Sequence, residues 1–139
     1  MLNSLSDGDE VRALVNEYRR ACVKRGEEPG TIGVIRRGWF GGGEEGQSFL
    51  RTFERQLRGA VNFAEYQRKP WVRDLASRRW VQDVAFTGEP EELAAALSAW
   101  CERVGVDYVM LKLHWGARDF GQLTEQLRRA ERFTRALGR

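Results

Sequence analysis

The sequence predicts an α/β fold in which about three parallel strands alternate with about four helices. Three observations carry this. Apolar residues switch repeatedly between helical and strand spacing along the chain. Glycine and proline punctuate each switch. The last strand candidate shows clean two-residue alternation. At 139 residues the chain has room for one domain, taken as residues 1–139.

The first helix is expected over about 8–25, where Val11, Leu14, Val15, Tyr18 and Cys22 form one apolar stripe. Asp7 followed by Glu10 resembles a capping box, and Gly26 then Pro29 closes the element. Thr31 to Phe40 reads as a strand, rich in β-branched residues at Ile32, Val34 and Ile35. The run Gly41 to Gly46 reads as a flexible connection. It lacks the Gly-Lys-Ser/Thr of a phosphate-binding P-loop, and Glu44 and Glu45 would repel phosphate. A helix over about 47–66 follows, with Phe49, Phe53, Leu57, Ala60 and Ala64 on one side. Residues 67–80 read as an irregular or short helical connection broken at Pro70.

Asp83 to Thr87 reads as a short strand. The turn Thr87 to Glu92 leads into a helix over about 90–104, with Pro90 suited to the first turn and Gly105 to the stop. Val106 to Trp115 is the clearest strand. Val109, Leu111, Leu113 and Trp115 share one face, and Tyr108, Met110, Lys112 and His114 share the other. A last helix over about 120–137 uses Leu123, Leu127, Ala130, Phe133 and Leu137. Helices packed on one side of the sheet are expected, with sheet edges and one face left open.

Composition narrows the chemistry. The aromatic fraction of 11% and hydrophobic fraction of 42% argue for a packed core. No apolar run approaches the ~20 residues of a membrane helix, and the first residues do not resemble a signal peptide, so a cytoplasmic setting is expected. Cys22 and Cys101 are far apart and His114 is the single histidine, so no metal-ligand cluster or nucleophile triad is visible. Buried free thiols in a reducing compartment are the simpler reading. Residues 66–80 carry five basic side chains and one acidic, together with Trp71 and Trp80, so nucleic acid has to be weighed. The excess is small and local, and the net charge of the chain is only +3, which disfavours that reading.

The stretch Phe86-Thr87-Gly88-Glu89-Pro90-Glu91-Glu92-Leu93, then Gly105-Val106-Asp107 and the strand through Lys112, His114 and Trp115, then a closing amphipathic helix, resembles the C-terminal end of luciferase-like monooxygenases. The helix ending Arg25-Gly26-Glu27-Glu28-Pro29 and the Thr31–Phe40 strand look like the preceding unit, while residues 41–80 match loosely. Members of that family are (β/α)8 barrels that use reduced flavin or a deazaflavin. A whole barrel takes ~250 residues, so the resemblance implies a partial TIM-barrel-like fold, the last third or so of such an enzyme. It implies FMN or deazaflavin binding once the barrel is completed, no cofactor on the isolated chain, and self-association or a partner chain covering the open sheet.

Barrel active sites lie at the C-terminal strand ends. Those ends give the candidate cofactor-binding residues Arg37 and Trp39, Thr87 and Gly88, and Lys112, His114 and Trp115. A cation such as Lys112 and a ring donor such as His114 suit the electron-rich edge of a reduced flavin, and Trp39 or Trp115 suits the wall of a ring pocket. Against this, Lys112 reads equally as a snorkelling surface residue, His114 as a hydrogen-bonded structural residue, and the tryptophans as packing. No catalytic residue is assigned. Three functions stand: an oxidoreductase fragment inactive alone, a noncatalytic interaction or oligomerisation module, and a small basic nucleic-acid binder.

Overall fold

The computed structural model describes residues 6–60, 81, 83–113 and 117–138. Among these the chain forms α1 (Gly8–Arg25), β1 (Gly33–Phe40), α2 (Gly43–Ala60), β2 (Ala85–Gly88), α3 (Pro90–Val104), β3 (Tyr108–Lys112) and α4 (Phe120–Leu137). The fold is α/β, with three parallel strands and these four helices among the described residues. The strands are ordered β2-β1-β3 in an open sheet.

That order decides how the helices distribute. The α2 crossover leaves β1 in one direction and the α3 crossover passes β1 in the other. Two crossovers of the same hand running in opposite directions must put their helices on opposite faces. The cores show this. Val34, Phe40, Phe86, Val109 and Leu111 pack against α1, α3 and α4 through Val11, Val15, Leu93, Leu97, Trp100 and Phe133. On the other face Trp39 and Ala85 pack against Phe49, Phe53 and Leu57 of α2. The expectation of helices on one side is therefore corrected: three lie on one face and α2 lies on the other.

Local boundaries follow from local chemistry. The Asp7 side chain caps α1 by accepting from Glu10 N at 2.8 Å, and Gly26 ends it at φ 68°, a left-handed conformation that suits glycine. The glycine run does not remain a loop throughout. Gly43, itself at φ 51°, opens α2, and Glu44 and Glu45 in the first turn favour the helix by complementing its dipole. Gly46 is buried in that first turn, where a Cβ would lie 2.7 Å from Gly41 O and 3.0 Å from Thr87 Oγ1, so only glycine fits without a shift. β2 starts two residues later than expected, since Asp83 and Val84 are helical. β3 is shorter than expected, ending at Lys112.

Asp83 is better spent off the strand. Its carboxylate accepts from Gly8 N at 3.0 Å, from Trp100 Nε1 at 3.1 Å and from Arg103 at 2.8 Å, tying α1 and α3 to the start of β2. It also offsets the buried cation of the core. Arg36 is fully buried on the helix-rich face of β1, donates to Ser6 O at 2.8 Å and lies 4.8 Å from the Trp100 ring centre. Burial pushes the Arg36 pKa down to about 10, and the charge of Asp83 works against that shift.

Asp83→Ala removes three hydrogen bonds, leaves the Gly8 and Trp100 donors without this acceptor, and strips the opposing charge from Arg36. It is expected to cost about 2–4 kcal/mol, measured by urea unfolding at neutral pH.

Candidate ligand groove at the carboxyl rim

The C-terminal ends of β1 and β3 define the region where open α/β sheets take ligands. The crevice forms where consecutive crossovers diverge to opposite faces, here beside β1 toward β3. The β1–α2 connection and the β3–α4 connection form its two sides. A groove of about 580 Å³ lies there. Its volume is in the range of small-molecule sites.

Trp39 and Phe49 line the floor, at the top of an aromatic ladder that continues into the core. Trp39 stacks on Phe49 at 5.7 Å and 15°, and Phe49 on Phe53 at 6.4 Å and 5°. The Arg37 guanidinium caps the ladder, 5.2 Å from the Phe53 ring centre. One wall is a polar stripe of α2, Ser48, Thr52 and Gln56, which recur every four residues and so share one side of the helix. Ala117, Arg118 and Gln122 form the opposite wall. Glu44 and Glu45 stand at the α2 end.

The rim is held by α4. β1 is longer than β3, so Phe40 projects past the last residue pair, Arg37 with Lys112. The buried side-chain amide of Gln126 takes the place of the missing strand. It accepts from Phe40 N at 2.7 Å and donates to Phe40 O at 2.9 Å. Arg129 also donates to Phe40 O and reaches Glu45 at 3.1 Å. Glu45 in turn accepts from Trp39 Nε1 at 3.0 Å. Burial alone would lower the Arg129 pKa, but hydrogen bonds to Glu45 and Glu125 outweigh it and keep the guanidinium charged. Glu45 is thus committed to the scaffold, whereas Arg118 and Glu44 have no side-chain partner among the described residues and face the groove.

The sequence-predicted residues are distributed unevenly around this geometry. Trp39 lines the groove. Arg37 shares its face but is buried under α2, where loss of water lowers its pKa. Lys112 is the register partner of Arg37 on β3, half-buried and outside the groove lining. Thr87 pairs with Trp39 and packs against Gly46 of α2; Gly88 accepts from Gly41 N at 2.9 Å. Thr87 and Gly88 therefore sit on the far side of β1 from Lys112. His114 and Trp115 lie outside the described residues, as do residues 61–80 with their basic stretch. The polar wall was missed from the sequence. Its signal was the Ser48-Thr52-Gln56 spacing beside the apolar Phe49-Phe53-Leu57 stripe.

No protein-family model, no curated protein and no solved structure matches the chain.

Gln126→Leu keeps the bulk of the side chain and removes both hydrogen bonds to Phe40. It leaves Phe40 N unpaired beneath α4, so a loss of about 1–3 kcal/mol is expected by chemical denaturation, with the helical signal retained.

Proposed function

We propose that the chain is the C-terminal portion of a flavin- or deazaflavin-dependent oxidoreductase of the luciferase-like kind, with its ligand seated in the rim groove. The observation that carries this reading is the groove's position and make-up: it opens at the carboxyl ends of parallel strands, over Trp39 and Phe49, between neutral polar groups and Arg118, which has no side-chain partner among the described residues, with Glu44 and Glu45 at the α2 end. The order of motifs from Gly88 to the closing helix supports the family side of it. The strand order reverses beside β1, and open α/β sheets take ligands in the crevice at such a point.

The residues present fit such a group in kind. Trp39 and Phe49 supply an apolar surface for a ring system. Ser48, Thr52, Gln56 and Gln122 can hydrogen-bond a hydroxylated chain, and Arg118 can pair with a terminal phosphate. Glu44 opposes phosphate at the α2 end, which places any anion on the Arg118 side. When bound, a flavin or deazaflavin supplies hydride or electron transfer. This chain's residues bind it, orient it and shield one side from water. Among the described residues the other side is open, so binding by the chain alone is weak and turnover waits on a covering chain, either a second copy or a partner. A cytoplasmic setting suits the two free cysteines. Among the described residues no helix is long and apolar enough to cross a membrane.

A noncatalytic interaction module is the second reading, favoured by the exposure of Tyr108 and Met110 on β3. Ligand titration separates the two. Riboflavin, FMN and a deazaflavin are each titrated into the protein and followed by cofactor fluorescence. The resemblance alone implies no cofactor on the isolated chain; because the groove is already formed on this chain, weak but saturable binding is expected instead, FMN tighter than riboflavin. Arg118→Ala is expected to weaken FMN about tenfold, or ~1.4 kcal/mol, and leave riboflavin unchanged. Absence of saturable binding for all three compounds overturns the cofactor reading and leaves the interaction module.

A further inference from the structure

We propose that the free edge of β3 pairs antiparallel with β3 of a second copy of this chain, across a two-fold axis at Met110. The proposal concerns the open sheet edge rather than the rim groove, and names the partner's identity, strand and register.

Among the described residues three features lie unpartnered together on this side of the molecule. The first is the edge itself. β3 ends the sheet, and among the described residues no strand pairs with its outer side. Its five residues contain no proline, and one lysine is the sole charge. Such an edge is a template for a further strand. The second is the exposed face of β3, where Tyr108 is 50% and Met110 51% accessible. The third is the flank of α4. Gln126 must face inward to reach Phe40, and Leu127 lies about 100° further round the helix. The apolar stripe therefore overruns the core, leaving Phe120 82% and Leu127 57% exposed one above the other at seven-residue spacing.

A second copy satisfies all three at once. An antiparallel pair has its local two-fold axis perpendicular to the sheet, so the helix-rich faces of both copies fall on the same side. α4 of one copy then lies next to α4 of the other, and the Phe120–Leu127 flanks can meet. The register centred on Met110 sets Met110 opposite itself, Val109 opposite Leu111, and Tyr108 opposite Lys112. The apolar pair falls on the helix-covered side, where Val109 and Leu111 already pack against the core. On the open side each Lys112 ammonium meets a Tyr108 ring rather than a like charge. Tyr108 is poised for this, because its inner side rests on Gly33, where a Cβ would occupy the position of the ring. The other half of the ring remains exposed. A parallel partner strand cannot give this self-complementary pattern, because a closed two-fold pair is isologous.

The test uses the full chain. Sedimentation velocity at rising concentration is expected to show a monomer–dimer equilibrium. Met110→Lys sets like charges opposite each other and is expected to give a folded monomer with the melting temperature of the dilute, monomeric wild type. Under mild oxidation Met110→Cys is expected to form a covalent dimer. Tyr108→Cys is not, because its two copies lie four rungs apart, about 13 Å along the strand, beyond disulfide reach. The unmodified chain, with Cys22 buried and Cys101 half-buried, is the control for background cross-linking. A wild-type monomer at the highest soluble concentration overturns both the dimer and the self-association behind it. A dimer that survives Met110→Lys, or cross-links equally at position 108, overturns this interface and leaves self-association through another surface. None of these results touches cofactor titration, which reads the rim groove.

Discussion

The position of β1 between β2 and β3 is the constraint on which the rest of the structure depends. A central strand must be covered on both faces and paired on both edges along its length. β1 has eight residues, but its neighbours have four and five. The mismatch leaves backbone groups past the end of each short strand. At the carboxyl end Gln126 and Arg129 meet Phe40, and at the amino end Asp107 meets Ile32 N at 2.6 Å. These side chains do the work of absent strand residues. They also fix α4 and the β3 turn to the same strand, so the strand and helix layers are joined by hydrogen bonds as well as by packing.

The same constraint opens the groove. Because the chain visits both neighbours of β1, its two crossovers diverge, and the connections at the carboxyl ends cannot close over one another. α2 fills the space on its own face with an aromatic ladder and turns its polar stripe toward the gap. On the opposite face the buried Arg36 is settled by a carbonyl, an aromatic ring and the nearby charge of Asp83. Arg36 and Arg37 are adjacent in sequence and lie on opposite faces, each against an aromatic ring. A β-strand that places consecutive arginines in two separate cores needs both faces covered, and the split of helices between the faces provides that cover.

Much of this was legible in the residues. The β3 alternation separated Val109, Leu111 and Leu113 from Tyr108, Met110 and Lys112 as the structure does, because a two-residue period is local and needs no tertiary information. The spans of α1, α3 and α4 followed from apolar spacing and from the Asp7, Pro90, Gly26 and Gly105 signals. The strand order was not legible. Alternation states that strands are parallel but not which lies in the middle, and that choice placed α2 alone on its face. Gly43 to Gly46 were misjudged because glycine's entropy cost was weighed without the close approach of Thr87, which a small residue at Gly46 permits. Asp83 was read by β pattern, although its carboxylate serves three donors better from a helical turn. The groove residues Arg118 and Gln122 come from a different segment than Ser48 and Thr52. No spacing rule links them.

The two ends of the sheet are protected to different degrees, and this separates the rim from the edge. β2 is four residues long, too short to offer a useful template, and Ala85 and Phe86 are buried under helices on either face. β3 is longer and half-covered, with its helix-side residues packed and its other side open. Selection for solubility alone favours charge or proline on such a strand. β3 instead carries tyrosine, methionine and a single lysine placed where a two-fold partner would offer an aromatic ring. The groove opens along the strand direction at the carboxyl ends, whereas the β3 edge faces sideways. Occupying one therefore leaves the other accessible. A chain can hold a ligand at the ends of its strands and a second copy along their side, and the central strand that pairs with both neighbours makes the two surfaces compatible.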